Sequence, residues 1–251
     1  MFRFKRKSGY SGDYKTWAAA RAHCSGYDQA NILVKVRDAA LAVKEGRAAY
    51  ERDSVLFDRF ECSWPVFGLL MKAAYESAPN LSVIDFGGSL GSSYYNIRRL
   101  LPQGLNCQWN VIEQPSFVEV GQQIFQDEQL KFYLNVADLP LQDVDVLLLS
   151  SVLPYLEDPL AELKRLIQLN ARYLIIDRTP CFKNFSQLTK QVVPEWIYQA
   201  SYPAWFLNQA ELLDVLSIKY EVLSIYDALA GRIKVGGKKA KEIGIICRLK
   251  D

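Results

Sequence analysis

Ser82-Val-Ile-Asp-Phe-Gly-Gly-Ser-Leu-Gly-Ser-Ser-Tyr-Tyr95 decides the fold. An apolar run, Val83-Ile84, ends on an acid, Asp85. Gly87, Gly88 and Gly91 then make a turn, and Ser92-Ser93 opens a helical segment. Twenty-two residues past Gly91 a second apolar run, Trp109-Asn-Val-Ile-Glu113, ends on another acid. Strand, glycine turn, helix and acid-tipped strand are the layout that holds an adenosine-bearing cofactor. Glycines admit close backbone approach, a helix start offers unpaired N–H groups, and the second carboxylate accepts from ribose hydroxyls.

Glycine spacing narrows the choice. A dinucleotide fingerprint ending on Gly91 needs glycine at 86 and 88, and position 86 is Phe. The pattern associated with S-adenosylmethionine is acid-x-Gly-x-Gly-x-Gly. It reads here Asp85-Phe86-Gly87-Gly88-Ser89-Leu90-Gly91, with serine in the middle glycine slot. Asp85 decides between them: a carboxylate there attracts the cationic amino end of a methionine moiety and repels a pyrophosphate. The competing account is an ordinary strand–turn–helix corner whose glycines serve packing.

Outward from this unit the chain alternates. Strands are expected at 82–86, 109–113, 131–135, 144–150, 172–177, 221–226 and 243–249. Helical patterns lie at Ser93–Leu101, Phe117–Gln126, Pro159–Leu169 and Gln209–Ile218. Continuous apolar runs such as Val144-Asp-Val-Leu-Leu-Leu-Ser150 mark strands buried on both faces. No crossover helix fits between the last two strands, so they pair as an antiparallel hairpin. The expected fold is α/β: a Rossmann-like, seven-stranded, mostly parallel sheet with an antiparallel terminal hairpin and helices on both faces (residues 81–251). Before it, residues 1–80 read as an α-helical N-terminal cap. Ile32, Val36, Ala39, Ala40, Val43 and Ala48 recur at helical spacing between Asn31 and Asp53, and Ser63-Trp-Pro65 starts another helix running to Ala78.

Composition excludes several classes. Half of the 251 residues are hydrophobic, and the net charge of +2 is too balanced for a nucleic-acid or anionic-membrane partner. Five scattered cysteines, no Cys-x-x-Cys pair and a single histidine argue against a metal site and for a reducing, cytoplasmic setting. Met1-Phe-Arg-Phe-Lys-Arg-Lys7 is basic without a following apolar run, so no signal peptide is expected, and no stretch approaches the roughly 20 apolar residues of a membrane span.

Asp145-Val-Leu-Leu-Leu-Ser-Ser-Val-Leu-Pro-Tyr-Leu-Glu-Asp-Pro159 is similar to the methyltransferase stretch in which a buried strand delivers small polar residues to the cofactor. The whole chain resembles a family of largely uncharacterised bacterial methyltransferase-like proteins of the class I, S-adenosylmethionine-dependent type, associated with surface-polysaccharide genes. Gly26-Tyr-Asp28, Tyr50-Glu-Arg-Asp-Ser54, Asp85 to Tyr95, Val111-Ile-Glu-Gln114, Ser150-Ser-Val-Leu153, Tyr155-Leu156, Asp177-Arg-Thr-Pro180 and Ser201-Tyr-Pro203 carry the resemblance. It implies that Asp85, Gly87, Gly88 and Ser89 surround the methionine end of S-adenosylmethionine, with Gly91 in the same cofactor-binding turn. Glu113 then accepts from the ribose hydroxyls with Gln114 beside it, Asn135 either reaches the adenine edge or is a plain turn residue, and Ser150, Ser151 and Val152 flank the sulfonium.

For catalysis, Asp177 at the carboxyl edge of its strand is the candidate base, with Arg178 pairing with it or holding an anionic substrate; a structural Asp–Arg contact is the alternative. His23 is the one side chain that ordinarily titrates near neutrality, although a lone surface histidine is usually incidental. Glu51, Arg52 and Asp53 are either a solvated helix end or part of a lid. The aromatic stretch Trp196 to Phe206, inside an insertion at 180–207, offers Tyr202 and Trp205, with Tyr155, to stack on a sugar ring; lid packing competes with that role. Lys234, Lys238, Lys239 and Lys241 read as a solvated turn. The reading is a methyltransferase O-methylating a small polar acceptor, a nucleotide-activated sugar or glycan precursor. A non-catalytic module of the same fold and an NAD-dependent sugar oxidoreductase are the rivals.

Overall fold

The computed structural model describes residues 8–25, 30–140 and 143–251. Gly26-Tyr-Asp28 and Met1–Lys7 lie outside them. In chain order the elements are β1 (Gly9–Tyr14), α1 (Trp17–Arg21), α2 (Ala30–Lys44), β2 (Tyr50–Arg52), β3 (Val55–Phe57), α3 (Trp64–Ser77), β4 (Asn80–Phe86), α4 (Ser92–Ile97), β5 (Asn106–Ile112), α5 (Pro115–Val120), β6 (Leu130–Tyr133), β7 (Val146–Ser150), α6 (Pro159–Leu166), β8 (Tyr173–Phe182), β9 (Gln187–Val192), β10 (Ser201–Asn208), α7 (Gln209–Ser217), β11 (Tyr220–Val235) and β12 (Lys238–Leu249).

The seven expected strands form one sheet in the order β6-β5-β4-β7-β8-β12-β11. β6 through β8 are mutually parallel; β12 runs antiparallel to β8, and β11 closes the hairpin at the edge. This is the expected Rossmann-like α/β sheet. Its central strands β4, β7 and β8 are buried on both faces, while β11 at the edge is largely exposed. Val83, Trp109, Val111, Val146 and Leu148 share one apolar cluster with α2 to α5. Ile84, Leu147, Leu149, Leu174 and Ile176 share the other with α6 and α7. The sheet order reverses between β4 and β7, and an open α/β sheet offers its ligand crevice at the strand ends there. Among the described residues no helix is long and apolar enough to cross a membrane.

Two regions differ from the sequence reading. The stretch 1–80, expected to be helical, also holds β1 and the β2–β3 hairpin. α2 stops at Lys44 instead of continuing to Asp53, because Gly46 takes a left-handed conformation (φ 75°). Gly46 N–H then bonds the Val43 carbonyl and Arg47 N–H the Ala42 carbonyl, a Schellman ending. Asp53 and Ser54, both at positive φ, form the two-residue turn of β2–β3. The insertion at 180–207 is likewise structured. Where β7 ends at Ser150 opposite Asp177, β8 runs on, and β10 pairs beside its last residues in β7's place. β9 and β1 continue from β10 as antiparallel strands, so the extra layer stands directly over the carboxyl end of the sheet.

Candidate functional site

The carboxyl ends of β4, β5, β7 and β8 open into a cavity of about 1260 Å³, roofed by the β2–β3 hairpin and the β9–β10 layer. Asp85 lies at its floor, 1% exposed, and its Oδ2 accepts from Trp109 Nε1 at 3.1 Å. Burial pushes its carboxyl up to about 7; the Trp109 hydrogen bond opposes the rise and the neighbouring Glu113 adds to it. Above it the turn passes so closely that a Cβ on Gly88 would stand 2.5 Å from the Asp85 carboxyl carbon, and one on Gly87 would stand 2.4 Å from Val152. Glycine is required at both positions by space, and at Gly87 also by φ 74°. Ser89 occupies the middle glycine slot at φ 55°, which is how serine stands in for glycine there. A methyl group at 88 overpacks a buried carboxylate, so Gly88→Ala is expected to destabilise the fold by about 1–3 kcal/mol. That is a fall in Tm of roughly 5 °C for a chain of this size, measurable by scanning calorimetry; an unchanged Tm would refute the close approach.

Glu113 locks the other side of the turn. Its Oε1 accepts from Ser89 N–H at 3.1 Å and its Oε2 from Gln114 N–H at 2.8 Å. Burial raises its pKa and these two backbone donors oppose the rise. Each carboxylate oxygen retains a further lone pair for a ligand hydroxyl. Gln114 and Asn135 line the rim. The Asn135 side chain caps the short turn that follows, exchanging hydrogen bonds with Asp138, so its amide is already committed locally.

On the far side of Asp85, Ser150, Ser151 and Val152 line the wall. Ser151 sits at φ 58° and its N–H bonds the Asp177 carbonyl at 2.9 Å. Asp177, 4% exposed, has Oδ1 accepting from Tyr226 O–H at 2.7 Å and Oδ2 from Ser150 O–H at 3.4 Å. Tyr226 reaches Asp177 across β12 because residue 244 is glycine: a Cβ there would lie 2.0 Å from the tyrosine ring. Arg178, at φ 51°, donates to Ser150 Oγ at 3.4 Å and lies 4.0 Å from Asp53. Burial works against the guanidinium charge, but Asp53, Asp177, Tyr50 and Glu242 together hold its pKa above the ordinary value. Among the described residues, five of the six non-glycine residues at positive φ (Asp53, Ser54, Ser89, Ser151 and Arg178) line this cavity, so backbone strain concentrates where ligands would bind.

Most of the residues singled out from the sequence converge here: Asp85, Gly87, Gly88, Ser89, Glu113, Gln114, Asn135, Ser150, Ser151, Val152, Asp177, Arg178, Tyr155, Arg52 and Tyr202 all line the cavity. Three are elsewhere. Gly91 (φ 87°) backs onto Leu130 and serves the turn into α4. Trp205 points to the opposite face of its strand, its Nε1 donating to the Glu157 carbonyl at 3.4 Å. His23 is exposed at the end of α1, held by the Ala19 carbonyl at 2.9 Å and by the Tyr14 ring. It has no place in the site.

Sequence reasoning missed Tyr10, Tyr226 and Glu242. Residues 226–230 of β11 line the cavity in one continuous stretch, and the β11–β12 register is irregular between Asp227 and Arg232, so alternation was no signal for them. Tyr10 gave none, because β1 reaches the site only through pairing with β9, about 180 residues along the chain. Glu51, offered as a lid residue or a solvated helix end, is buried. It accepts from Ser92 O–H and from Ser54 N–H, tying the hairpin to α4.

No family model matches the sequence, and no curated protein matches it. Solved structures do. The N-terminal domain of EvdMO1 in the presence of SAH and D-fucose is 15% identical, with 89% of this chain and 98% of that chain covered at a TM-score of 0.49. Magnesium protoporphyrin IX methyltransferase from Synechocystis PCC 6803 with bound SAM is 14% identical, with 90% and 100% covered at 0.46. A SAM-dependent methyltransferase from Methanosarcina mazei is 14% identical, with 70% and 95% covered at 0.49.

Proposed function

We propose that this chain is an S-adenosylmethionine-dependent methyltransferase acting on a hydroxyl of a small polar acceptor, a sugar or glycan precursor. The observation that carries the reading is the pair of carboxylates, Asp85 and Glu113, on two sides of a turn whose Cβ space is already filled. The residues fit the cofactor: Asp85 suits the ammonium of its methionine end, and Glu113 the ribose diol. A pyrophosphate would meet Asp85 with like charge, which disfavours a nicotinamide cofactor.

When bound, the cofactor supplies an electrophilic methyl on a sulfonium, so that the acceptor oxygen forms the new C–O bond while the C–S electron pair stays on sulfur. The chain's own residues do the rest. Asp177, facing Ser150 at the junction of β7 and β8, takes the hydroxyl proton. Tyr226 and Ser150 fix its carboxylate in one orientation, and much of the rate comes from alignment. The β2–β3 hairpin, part of the proposed cap over residues 1–80, roofs the site and is tied to α4 by the hydrogen bond from Ser92 to Glu51.

Calorimetric titration with S-adenosylmethionine and S-adenosylhomocysteine tests this. Saturable one-to-one binding of both is the expected result. Absence of heat from either ligand removes the proposal.

A further inference from the structure

Lys234 to Lys241, read from the sequence as a solvated turn, is a regular two-stranded ribbon at the tip of the β11–β12 hairpin. Gly236 and Gly237, at φ 53° and 80°, form its two-residue turn. From there Val235 pairs with Lys238, Lys234 with Lys239, Ile233 with Ala240 and Arg232 with Lys241. Directly opposed residues share a face, so the ribbon has two unlike sides. Ile233, Val235 and Ala240 turn inward onto Phe182 and Phe206. Arg232, Lys234, Lys239 and Lys241 lie on the outer side, and all four are exposed.

Two cations therefore stand directly across from two others, an arrangement that destabilises a hairpin. Lys238, on the inner side, is used by the fold: it donates to Gln187 Oε1 at 2.9 Å and lies 3.5 Å from Asp13. Of the outer four, Lys241 is held by Asp227 at 3.0 Å. Arg232, Lys234 and Lys239 form no ion pair among the described residues. The patch begins at the cavity rim, because Asp227 lines the cavity and residues 227–230 lead along β11 to Arg232.

The chemistry of the outer face selects among polyanions. It carries no aromatic ring on which nucleobases could stack. The ribbon's apolar side chains are turned inward, away from any lipid surface. What remains is spaced positive charge, about 7 Å from one cation pair to the next along the strands. A hydroxylated chain with carboxylates at intervals complements it. We propose that this face docks an acidic glycan, a chain of uronic acid units, whose end reaches the neighbouring cavity rim as the acceptor. This rests on the methyltransferase reading and specifies the class of its glycan.

The test titrates the protein with S-adenosylhomocysteine first, then with tetragalacturonate or uncharged maltotetraose at low ionic strength. Tetragalacturonate is expected to bind at least about tenfold more tightly than maltotetraose, with affinity falling as salt is added. Lys234→Gln combined with Lys239→Gln is expected to weaken it about fivefold to tenfold, and Arg232→Gln to act in the same direction. Lys234→Arg combined with Lys239→Arg should retain the affinity. S-adenosylhomocysteine binding and melting temperature should stay at parent values in all of these variants. Amide resonances of the ribbon and of Ala228 and Leu229 at the rim should shift together as tetragalacturonate is added. Equal binding of maltotetraose, no binding of tetragalacturonate, affinity untouched by the glutamine variants, or shifts that spare the rim overturns the assignment. So does tighter binding of an oligothymidylate or of phosphatidylglycerol–phosphatidylcholine vesicles, which would give the face to another class of partner. Failure at the first titration brings down the methyltransferase reading, and failure at the glycan alone brings down this one.

Discussion

Glu113→Ala is expected to lower the affinity for S-adenosylhomocysteine by at least about a hundredfold while the chain remains folded. The carboxylate accepts from Ser89 and Gln114 N–H groups and offers its remaining lone pairs to the ribose diol. Hydrogen bonds to a charged group contribute roughly 1.5–3 kcal/mol each, so losing two to the ligand accounts for a factor of a hundred or more. The turn loses its anchor as well, since Ser89 is held at φ 55° with that bond in place. Glu113→Gln is expected to fall nearly as far. An amide has one carbonyl to accept with, and its NH2 would face either a backbone N–H or a ligand hydroxyl already held as donor. Titration calorimetry beside a circular-dichroism melt separates lost binding from lost fold. Affinity within twofold of the parent in either variant means the ribose is held elsewhere.

The centre of the sheet was legible because β4, β7 and β8 carry continuous apolar runs and glycine marks the turn after β4, so pattern and burial agree. Val146-Leu-Leu-Leu149 could form little else once a parallel neighbour lay on each side. The two acid tips were legible for the same reason: a charged residue ending such a run has to stand at the sheet's edge. What escaped depends on partners far along the chain. β1, β9 and β10 pair with one another and with the carboxyl end of β8, and β10 contains Pro203, a residue without an N–H to give a sheet. The β2–β3 turn uses Asp53-Ser54 where Asn-Gly would have announced it. Tyr226 could be placed only once the gap at Gly244 was seen, because the sequence does not reveal that a ring crosses one strand to reach an acid on the next. His23 is the chain's single imidazole, and chemistry without placement carries no function.

Asp85→Asn is expected to make the protein more stable above pH 7 and to abolish its hold on the cofactor. Burial lifts the folded-state pKa from the ordinary 3.8 to about 7. Between those values the unfolded chain has released a proton that the folded chain retains. Stability from this group is therefore complete below about pH 4, declines as pH rises through 7, and is flat beyond. Near pH 8 the folded protein carries an ionised, almost fully buried carboxylate at a penalty of order a few kcal/mol. Asparagine keeps an acceptor for Trp109 Nε1 and removes the charge, so Tm at pH 8 is expected to rise by roughly 5–10 °C, with little change at pH 4. The ligand reverses the balance: an ammonium against Asp85 restores the ionised form. Binding to the parent protein at pH 6 should release a proton, and affinity should increase up to about pH 7. Calorimetry in two buffers of different ionisation enthalpy reads that proton directly. In Asp85→Asn the release should vanish, with affinity down about a hundredfold. A variant that binds as tightly as the parent, or that melts no higher at pH 8, would show that Asp85 is neither strained by its burial nor relieved by the cofactor.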